Sequence, residues 1–310
     1  MWRYLVKRIL LLVVVVWGIT VLTFAMMNLA PGDPAMLIAE ARYGTDLTSE
    51  QIEMVRAEEG LDSGVITQYG IWMGHLLQGD LGNSPVTGDP VWQEMGERLP
   101  ATLLLAGFTM LIVLAVVVPL GLLGATRSGR WDRLVDILAM TGISIPNFWL
   151  GLMFILLFSV TLGILPSFGM SGPLSIILPA ATLAVPMICM DLRLMRNSMR
   201  EVMGEEYIYT ARMKGLDNWT IVRRHALKNS LLPLLTFAGL QVGFLLGGAV
   251  IVETIFSWPG IGKLMVDSIM VKDFALIAGC VLLVGVLYAL VNLATDLLYA
   301  AIDPRVRYDM

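Results

Sequence analysis

Charged side chains are scarce in this sequence. Its 310 residues include 21 Lys or Arg and 25 Asp or Glu, together 15%, whereas soluble domains carry roughly 25%. No charge falls within five long stretches, residues 9–32, 99–126, 137–190, 229–252 and 274–295. A helix of a soluble protein averages about 11 residues and does not need uncharged runs of this length. The composition therefore excludes a soluble globular enzyme.

Cysteine and histidine are nearly absent as well. Cys189 and Cys280 fall inside apolar runs and are interpreted as small packing residues rather than a disulfide framework. His75 and His225 fall on opposite sides of the predicted membrane, so they cannot share a metal ion or a catalytic triad. The segment 260–264 superficially resembles a phosphate-binding loop but ends in leucine where that motif needs Ser or Thr. The sequence predicts no metal, cofactor or catalytic group in this chain.

Each uncharged run is long enough to cross a membrane, which takes about 20 apolar residues. The run 137–190 must supply two crossings, because the glycines and prolines between residues 161 and 174 cannot continue a helix. Backbone groups in lipid must be hydrogen-bonded internally, and the pattern favours helices over a barrel. The sequence predicts an all-α membrane protein with six transmembrane helices near residues 9–29, 101–124, 137–162, 175–192, 230–252 and 274–298.

Basic residues indicate which side of the membrane each loop occupies. With a cytoplasmic N-terminus, sixteen Lys and Arg lie on inner segments and five on outer ones, namely Arg42, Arg56, Arg98, Lys263 and Lys272. This asymmetry predicts that both termini are cytoplasmic. A cleaved signal peptide is a rival interpretation of the first helix, but its apolar run exceeds the 7–15 residues of a signal core.

The predicted organisation has four parts. They are a cytoplasmic N-terminus with the first helix (1–30), an outer segment with short amphipathic helices (31–100), a five-helix core containing an inner loop at 193–229 (101–300), and a cytoplasmic tail (301–310). In the outer segment, Thr48 and Gln51 predict a capping box and Gly60 a helix end. A second amphipathic stripe is formed by Val65, Tyr69, Trp72, Met73 and Leu76.

The inner loop contains a short helix candidate at residues 205–214, acidic at its start and basic at its end. This polarity suits the helix dipole. Gly215 supplies a left-handed stop, and Asp217 or Asn218 can cap the next helix. A short helix held between two membrane spans is a rigid element that a cytoplasmic partner can grip; a solvated charged loop is the alternative.

Polar residues are few inside the predicted spans. The carboxylates at 191, 253 and 296 fall near helix ends, so no ionisable group lies clearly at mid-membrane depth, as one does in proton-driven transporters. Gly239, Gly243 and Gly247 predict a ridge for close helix packing. Gln241 lies about 200° around the helix from Gly239. Its face is expected to border a path through the membrane, or else to be hydrogen-bonded by a neighbouring helix.

A set of short motifs runs in order along the whole chain. They are PGDP at 31–34, GDLGNS at 79–84, RLPAT at 98–102, IPNFW at 145–149, TARMKGL at 210–216, HALKN at 225–229 with Pro233, ETIFSWPGIG at 253–262 and DPR at 303–305. Each is weak alone. Together they resemble the inner-membrane permease subunits of ABC importers, in the peptide and nickel branch.

The resemblance implies a type I ABC importer permease fold in a bacterial inner membrane, in contact with membrane lipid and without nucleic acid. It implies a second homologous permease subunit, one or two ABC ATPase subunits that bind ATP and Mg, and a periplasmic or lipid-anchored substrate-binding protein. This chain would be non-catalytic and would hold no cofactor itself. Its solute would be a peptide or nickel, free or chelated.

The resemblance also assigns site residues. The ATPase-coupling set is Glu206, Tyr207, Thr210, Ala211, Arg212, Lys214, Gly215 and Leu216, with Ala211 needed for close approach and Gly215 for the turn. The pathway or gate set is Asn147, Gln241, Glu253, Trp258, Pro259 and Gly260. The loop 258–262 is expected to form an outer gate, with an aromatic interfacial anchor as the alternative.

The sequence indicates the transported solute less firmly than it indicates the family. The short connection between the third and fourth helices and the motif at 147–149 lean toward nickel-type members, while the twenty methionines decide nothing. Two other classes compete with an ABC permease: a self-sufficient secondary transporter or channel, and an intramembrane enzyme. A requirement of uptake for ATP would distinguish an ABC permease from a secondary transporter or channel. An intramembrane enzyme is disfavoured, because the sequence shows no acid, base or metal-ligand cluster.

Overall fold

The computed structural model describes residues 2–29, 33–44, 46–126 and 129–302, and every regular element in these ranges is helical. The tail 303–310, with the motif 303–305, and residues 31–32 of the first motif lie outside the described residues. The outer segment contains α2 (Pro34–Tyr43), α3 (Ser49–Glu58) and α4 (Val65–Leu77) after α1 (Trp2–Leu29).

The remaining helices follow in chain order. They are α5 (Val91–Thr126), α6 (Arg130–Ser144), α7 (Asn147–Phe154) with a π-helix (Ile155–Thr161), a 3₁₀ turn (Pro173–Ile176), α8 (Ile177–Met203), α9 (Glu206–Met213), α10 (Asn218–Thr220) with a π-helix (Ile221–Ala226), α11 (Leu227–Gly248), α12 (Val250–Ile255), α13 (Ile261–Met270) and α14 (Phe274–Ile302).

Five segments of the described chain are long and apolar enough to cross a membrane: Val6–Leu29, Val91–Leu123, Pro173–Met203, Asn218–Gly247 and Phe274–Leu298. A sixth crossing is possible if the bent pair Val135–Gly142 and Asn147–Thr161 counts as one span. These segments confirm the predicted all-α, multi-span fold.

The third predicted span is broken, so the expectation of one continuous helix over 137–162 is wrong. Its two halves are bent by 99°. Pro146, with φ −63° and ψ 134°, precedes α7 and has no N–H to continue a helix. Both halves still pack on α8, since a Cβ on Gly142 would lie 2.3 Å from Cys189 Sγ and one on Gly151 would lie 3.4 Å from Thr182.

Helix boundaries depart from the predictions where tertiary contacts extend a helix beyond its uncharged run. The second span was expected from residue 101, but α5 already begins at Val91. Val91 and Met95 are buried against Ile261, Leu264 and Leu276, which form a second apolar cluster on the outer side. The fourth span likewise continues past residue 192 to Met203, because the inner half of α8 packs on α6 and α11.

Of the outer helices, α2 and α3 pack on each other and α4 packs on the first span. Thr48 and Gln51 form the predicted capping box of α3, and Gly60 takes the left-handed φ of +63°. On α4, the Tyr69 ring lies 5.3 Å from the Phe24 ring, and the Tyr69 hydroxyl lies 2.9 Å from Thr20 Oγ1. The four later members of the predicted stripe are half-buried, but its first residue, Val65, is exposed. Helices α2 and α13 were not predicted.

The apolar core lies where α5, α8 and α11 meet. Its fully buried members include Leu105 and Val113 of α5, Met195 of α8 and Leu245 of α11. Helix α14 packs on α11, and α1 packs on α14. This arrangement places the inner helix α9 between the inner ends of two core helices.

Candidate coupling helix and outer loop

Residues at its own two ends determine where helix α9 begins and ends. Glu206 lies in its first turn and Arg212 in its last, which complements the helix dipole. Gly215 has φ +79°, and its N–H donates to the Arg212 carbonyl at 2.9 Å. The Leu216 N–H reaches the Ala211 carbonyl at 3.4 Å. A left-handed glycine thus ends the helix and turns the chain toward α10.

Only one side of α9 is buried. Ile208 and Ala211 face the protein, with 0% and 6% exposure. The other seven predicted coupling residues are exposed: Glu206, Tyr207, Thr210, Arg212, Lys214, Gly215 and Leu216. Ala211, which was expected to permit a close approach, is buried on the protein side, where its small side chain lets α9 lie close to the protein body. Tyr209 and Met213 are 65% and 71% exposed and extend the outward surface.

Hydrogen bonds join α9 to α11 and α11 to α8. Asn229 Nδ2, at the start of α11, donates to the Tyr207 hydroxyl at 2.7 Å. The Ser198 hydroxyl of α8 donates to the Ser230 carbonyl of α11 at 3.1 Å. Asp217 caps α10 by accepting the Thr220 N–H at 2.9 Å, and the hydrogen bonds from Thr220 lower the pKa of its carboxyl group. Asp217, one of the two candidates, is thus the cap.

The outer loop between α12 and α13 is organised around one buried carboxylate. Glu253 is 0% exposed. Its Oε1 accepts the Thr102 hydroxyl at 2.8 Å, and its Oε2 accepts the Lys263 N–H at 3.0 Å. Thr102 Oγ1 in turn accepts the Ile261 N–H at 2.8 Å. Side chains from α5 and α12 therefore accept hydrogen bonds from backbone N–H groups at the N-terminus of α13. The residue that precedes α13 provides no side-chain cap of its own.

Trp258 attaches the same loop to α5. Its indole Nε1 donates to the Ala101 carbonyl at 2.9 Å, and its side chain is 1% exposed. The alternative of an aromatic interfacial anchor is therefore wrong. Gly260 is required for space, since a Cβ there would lie 2.3 Å from Glu253 Oε1. Pro259 between them is half-buried.

The other two predicted pathway residues lie elsewhere. Gln241 is 7% exposed, and its Nε2 donates to Asp191 Oδ1 of α8 at 2.9 Å. Asn147 is half-buried at the first turn of α7, beside the bend. No hydrogen bond between described residues joins either one to the cluster around Glu253. In this conformation the Gln241 face is covered by α8 rather than open.

The glycine ridge of α11 lies against α14. A Cβ added to Gly239 would meet Thr295 Oγ1 at 2.2 Å, and one on Gly243 would meet the Tyr288 ring at 2.9 Å. At Gly247 the contact to Val284 would be an ordinary 3.4 Å. The two helices approach most closely near Gly239 and Gly243.

Several residues that organise these sites escaped sequence reasoning. Asp273 begins α14 by accepting the Leu276 N–H at 3.0 Å, and it also accepts the hydroxyl of Ser84 from the motif 79–84. An aspartate directly before an apolar run was an available capping signal. The depth of Asp191 was misjudged, because the predicted helix end at 192 placed it near a boundary, whereas α8 continues to Met203.

Among the described residues, no three His, Cys, Asp or Glu side chains lie close enough to hold a metal ion. The features that stand out in these residues are connections between helices. On the inner side, a short exposed helix follows α8 in the chain and is hydrogen-bonded to α11. On the outer side, a buried hydrogen-bonded loop joins three helices.

Comparisons with known proteins agree with this geometry. The family described as the binding-protein-dependent transport system inner membrane component matches residues 117–308, and the N-terminal family of the same membrane components matches residues 1–106. A putative peptide transport system permease protein of Brucella abortus (strain 2308) is 40% identical over 314 residues, which cover 98% of this chain and 99% of the relative.

A glutathione transport system permease protein of Salmonella typhimurium (strain LT2) is 41% identical over 309 residues, covering 99% of this chain and 100% of the relative. Among solved structures, an inward-facing conformation of the MetNI methionine ABC transporter matches with a TM-score of 0.56 at 21% identity. It covers 68% of this chain and 97% of that one, which shows the type I importer permease fold. The chain belongs to the family of binding-protein-dependent transport system inner membrane components, and it is a multi-pass protein of the inner membrane.

Proposed function

We propose that this chain is a permease subunit of an ATP-driven importer for peptides. The observation that carries the proposal is α9, whose buried side fixes it to the core while its outward side stays exposed. Relatives that match nearly the whole chain are named as peptide and glutathione transport permeases, which supports a peptide over nickel as the solute. These relatives outweigh the lean toward nickel of the short connection between the third and fourth helices and of the motif at 147–149.

In this proposal the pathway forms between this chain and a second homologous permease. One or two ABC ATPase subunits bind ATP and Mg, and each permease inserts its inner helix into a groove on an ATPase. A substrate-binding protein, periplasmic or lipid-anchored, delivers the solute to the outer face. This chain does no chemistry of its own, and its termini face the cytoplasm.

The contacts of α9 suggest how nucleotide state reaches the membrane. Closure of the ATPase pair moves α9, and α9 carries α8 and α11 with it through the Tyr207–Asn229 and Ser198–Ser230 hydrogen bonds. The helices then rock between inward-open and outward-open arrangements, a two-state change biased by nucleotide at one end and by the loaded binding protein at the other.

The buried loop around Glu253 and Trp258 is the proposed outer gate. Its hydrogen bonds to Thr102 and Ala101 make it move together with α5. Displacement of α5 would therefore open or close the outer end without unfolding the loop. Asn147 and Gln241 stay proposed pathway positions, and no hydrogen bond between described residues joins either one to this gate.

Reconstitution tests the proposed function. Proteoliposomes are prepared with this chain, a homologous permease, ABC ATPase subunits and a substrate-binding protein from the same cell. We expect a labelled dipeptide to accumulate only with hydrolysable ATP, and vesicles that contain this chain alone to accumulate none. Labelled nickel in parallel vesicles tests the other solute. Uptake by this chain alone, driven by an ion gradient, would instead support the secondary transporter or channel and overturn the proposal.

A further inference from the structure

A carboxyl group and an amide meet in the apolar core between α8 and α11. Asp191 is 0% exposed, and its Oδ1 accepts the Gln241 Nε2 hydrogen bond at 2.9 Å. The second acceptor of each group, Asp191 Oδ2 and Gln241 Oε1, is buried and receives no hydrogen bond in this arrangement. Buried acceptors without donors are unfavourable, and an ionised carboxylate in such a place is more so.

No basic side chain in the described part of the chain supplies the missing donor. On α8 itself, Arg193 is exposed and Arg196 pairs with Asp136 of α6 at 2.6 Å. The helices packed against α8 carry their charged residues at 94–98 of α5, 130–136 of α6, 223–228 leading into α11, and 253 of α12. Among the described residues, none of these charges forms an ion pair with Asp191.

We propose that Asp191 is protonated on Oδ2 and donates a hydrogen bond to Gln241 Oε1. A carboxylic acid and a primary amide then form a closed pair, with the amide N–H bonded to one acid oxygen and the acid O–H bonded to the amide oxygen. With this one proton, Asp191 Oδ2 becomes a donor and Gln241 Oε1 receives a hydrogen bond, so neither oxygen is left without a partner. The pair is neutral, which suits its position in the apolar core of a membrane protein.

The pair joins the two helices that flank α9. Helix α8 leads into α9, and α11 receives the chain after it, so a bond between Asp191 and Gln241 makes both helices follow α9 as one body. Asp191 is thus a positioning residue for coupling. This role rests on the proposed function of α9, whereas the protonation of Asp191 does not.

Infrared difference spectroscopy of the purified, assembled complex at neutral pH tests the proton. The spectrum of the wild type minus that of Asp191→Asn is expected to show the carbonyl stretch of a protonated carboxylic acid. Asp296→Asn is the matched control, because Asp296 pairs with Arg8 at 2.6 Å, and an opposite charge this close favours the ionised form of a carboxyl group; its difference spectrum should lack that band. Absence of the band from the Asp191→Asn difference would overturn the proposal.

Uptake per ATP hydrolysed tests the role. In Asp191→Asn, two amides can form the same pair without a proton, so coupling should stay within about twofold of the wild type. Gln241→Leu removes both hydrogen bonds and should lower coupling about threefold to twentyfold, as judged from the strength of hydrogen bonds between membrane helices. Wild-type coupling in Gln241→Leu, or an equal loss in Asp191→Asn, would overturn the role. If Gly215→Val also left coupling normal, the function of α9 would fail, and the infrared band would still decide the protonation.

Discussion

At the scale of single residues, the end of α9 depends on the backbone of Gly215. Its φ of +79° lies in the left-handed region, where an L-residue costs about 1–2 kcal/mol and a β-branched side chain is a genuine outlier. No neighbouring atom lies within 4 Å of an added Cβ. The requirement for glycine is therefore conformational and not steric.

Gly215→Val is expected to uncouple ATP hydrolysis from uptake, because valine forces the turn after α9 out of its left-handed conformation and shifts the exposed surface. Uptake per ATP in proteoliposomes measures the effect, and we expect a loss of about tenfold, corresponding to about 1.4 kcal/mol of displaced equilibrium. Gly215→Asn is the matched control, since asparagine tolerates this region and should retain coupling. Equal coupling in the two variants would contradict the assignment.

Glu253 is the residue on which the outer loop depends. Replacing it by alanine leaves the Lys263 N–H and the Thr102 hydroxyl without their acceptor, and a buried polar group left unsatisfied costs about 1–3 kcal/mol. We expect Glu253→Ala to lower the thermal unfolding midpoint of the purified complex. Thr254→Ala is the control, because Thr254 is exposed and its hydroxyl donates to the Val250 carbonyl of the same helix. A midpoint no lower than that of Thr254→Ala would count against this role.

Sequence reasoning succeeded at residues whose partners are near in the chain. Gly215 and Asp217 bond to backbone groups within four residues of themselves, so a local sequence pattern is enough to predict these hydrogen bonds. Glu253 meets Thr102 from 151 positions away, and Gln241 meets Asp191 from 50 away. Such pairs depend on how helices pack, which local periodicity does not encode.

At the scale of elements, uncharged runs predicted the membrane helices but not their continuity. Helix α2 carried a readable signal, since Asp33 caps it and proline follows at the first helical position. Helix α13 carried none, because Thr102 and Glu253 from other helices accept hydrogen bonds from its first N–H groups. The break at Pro146 lay inside an uncharged run, but this proline, with Ser144 and Asn147 beside it, was a readable helix-breaking signal.

The ridge on α11 yields a graded prediction for helix packing. Gly239→Ala and Gly243→Ala place a methyl group 2.2 Å and 2.9 Å from α14 side chains, whereas Gly247→Ala makes an ordinary 3.4 Å contact. Overpacking costs about 1–3 kcal/mol. The thermal unfolding midpoint of the purified complex should therefore fall for the first two variants and stay near that of the wild type for the third. If Gly247→Ala were the most destabilised, α11 and α14 would not pack as described.

At the scale of the whole molecule, the arrangement separates two surfaces with different tasks. The outer side is built from α2, α3, α4 and the loop around Glu253, and the inner side presents α9. Leu77, at the end of α4, is 81% exposed, and Met213, at the end of α9, is 71% exposed. The predicted orientation places the first outside the membrane and the second in the cytoplasm.

Cysteine labelling in intact cells tests this separation and the ATPase contact together. A membrane-impermeant maleimide should label Leu77→Cys and leave Met213→Cys unlabelled, because α4 lies on the outer side and α9 lies on the cytoplasmic side. In inside-out vesicles Met213→Cys should label rapidly when the ATPase is absent and slowly when it is assembled, since α9 is then covered.

Ala211→Cys is the matched control on the same helix: its position is 6% exposed, so it should label slowly in both preparations. The unmodified chain gives the background from Cys189 and Cys280. Labelling of Met213→Cys from outside the cell would reverse the orientation, and labelling that ignores the ATPase would remove α9 from the contact.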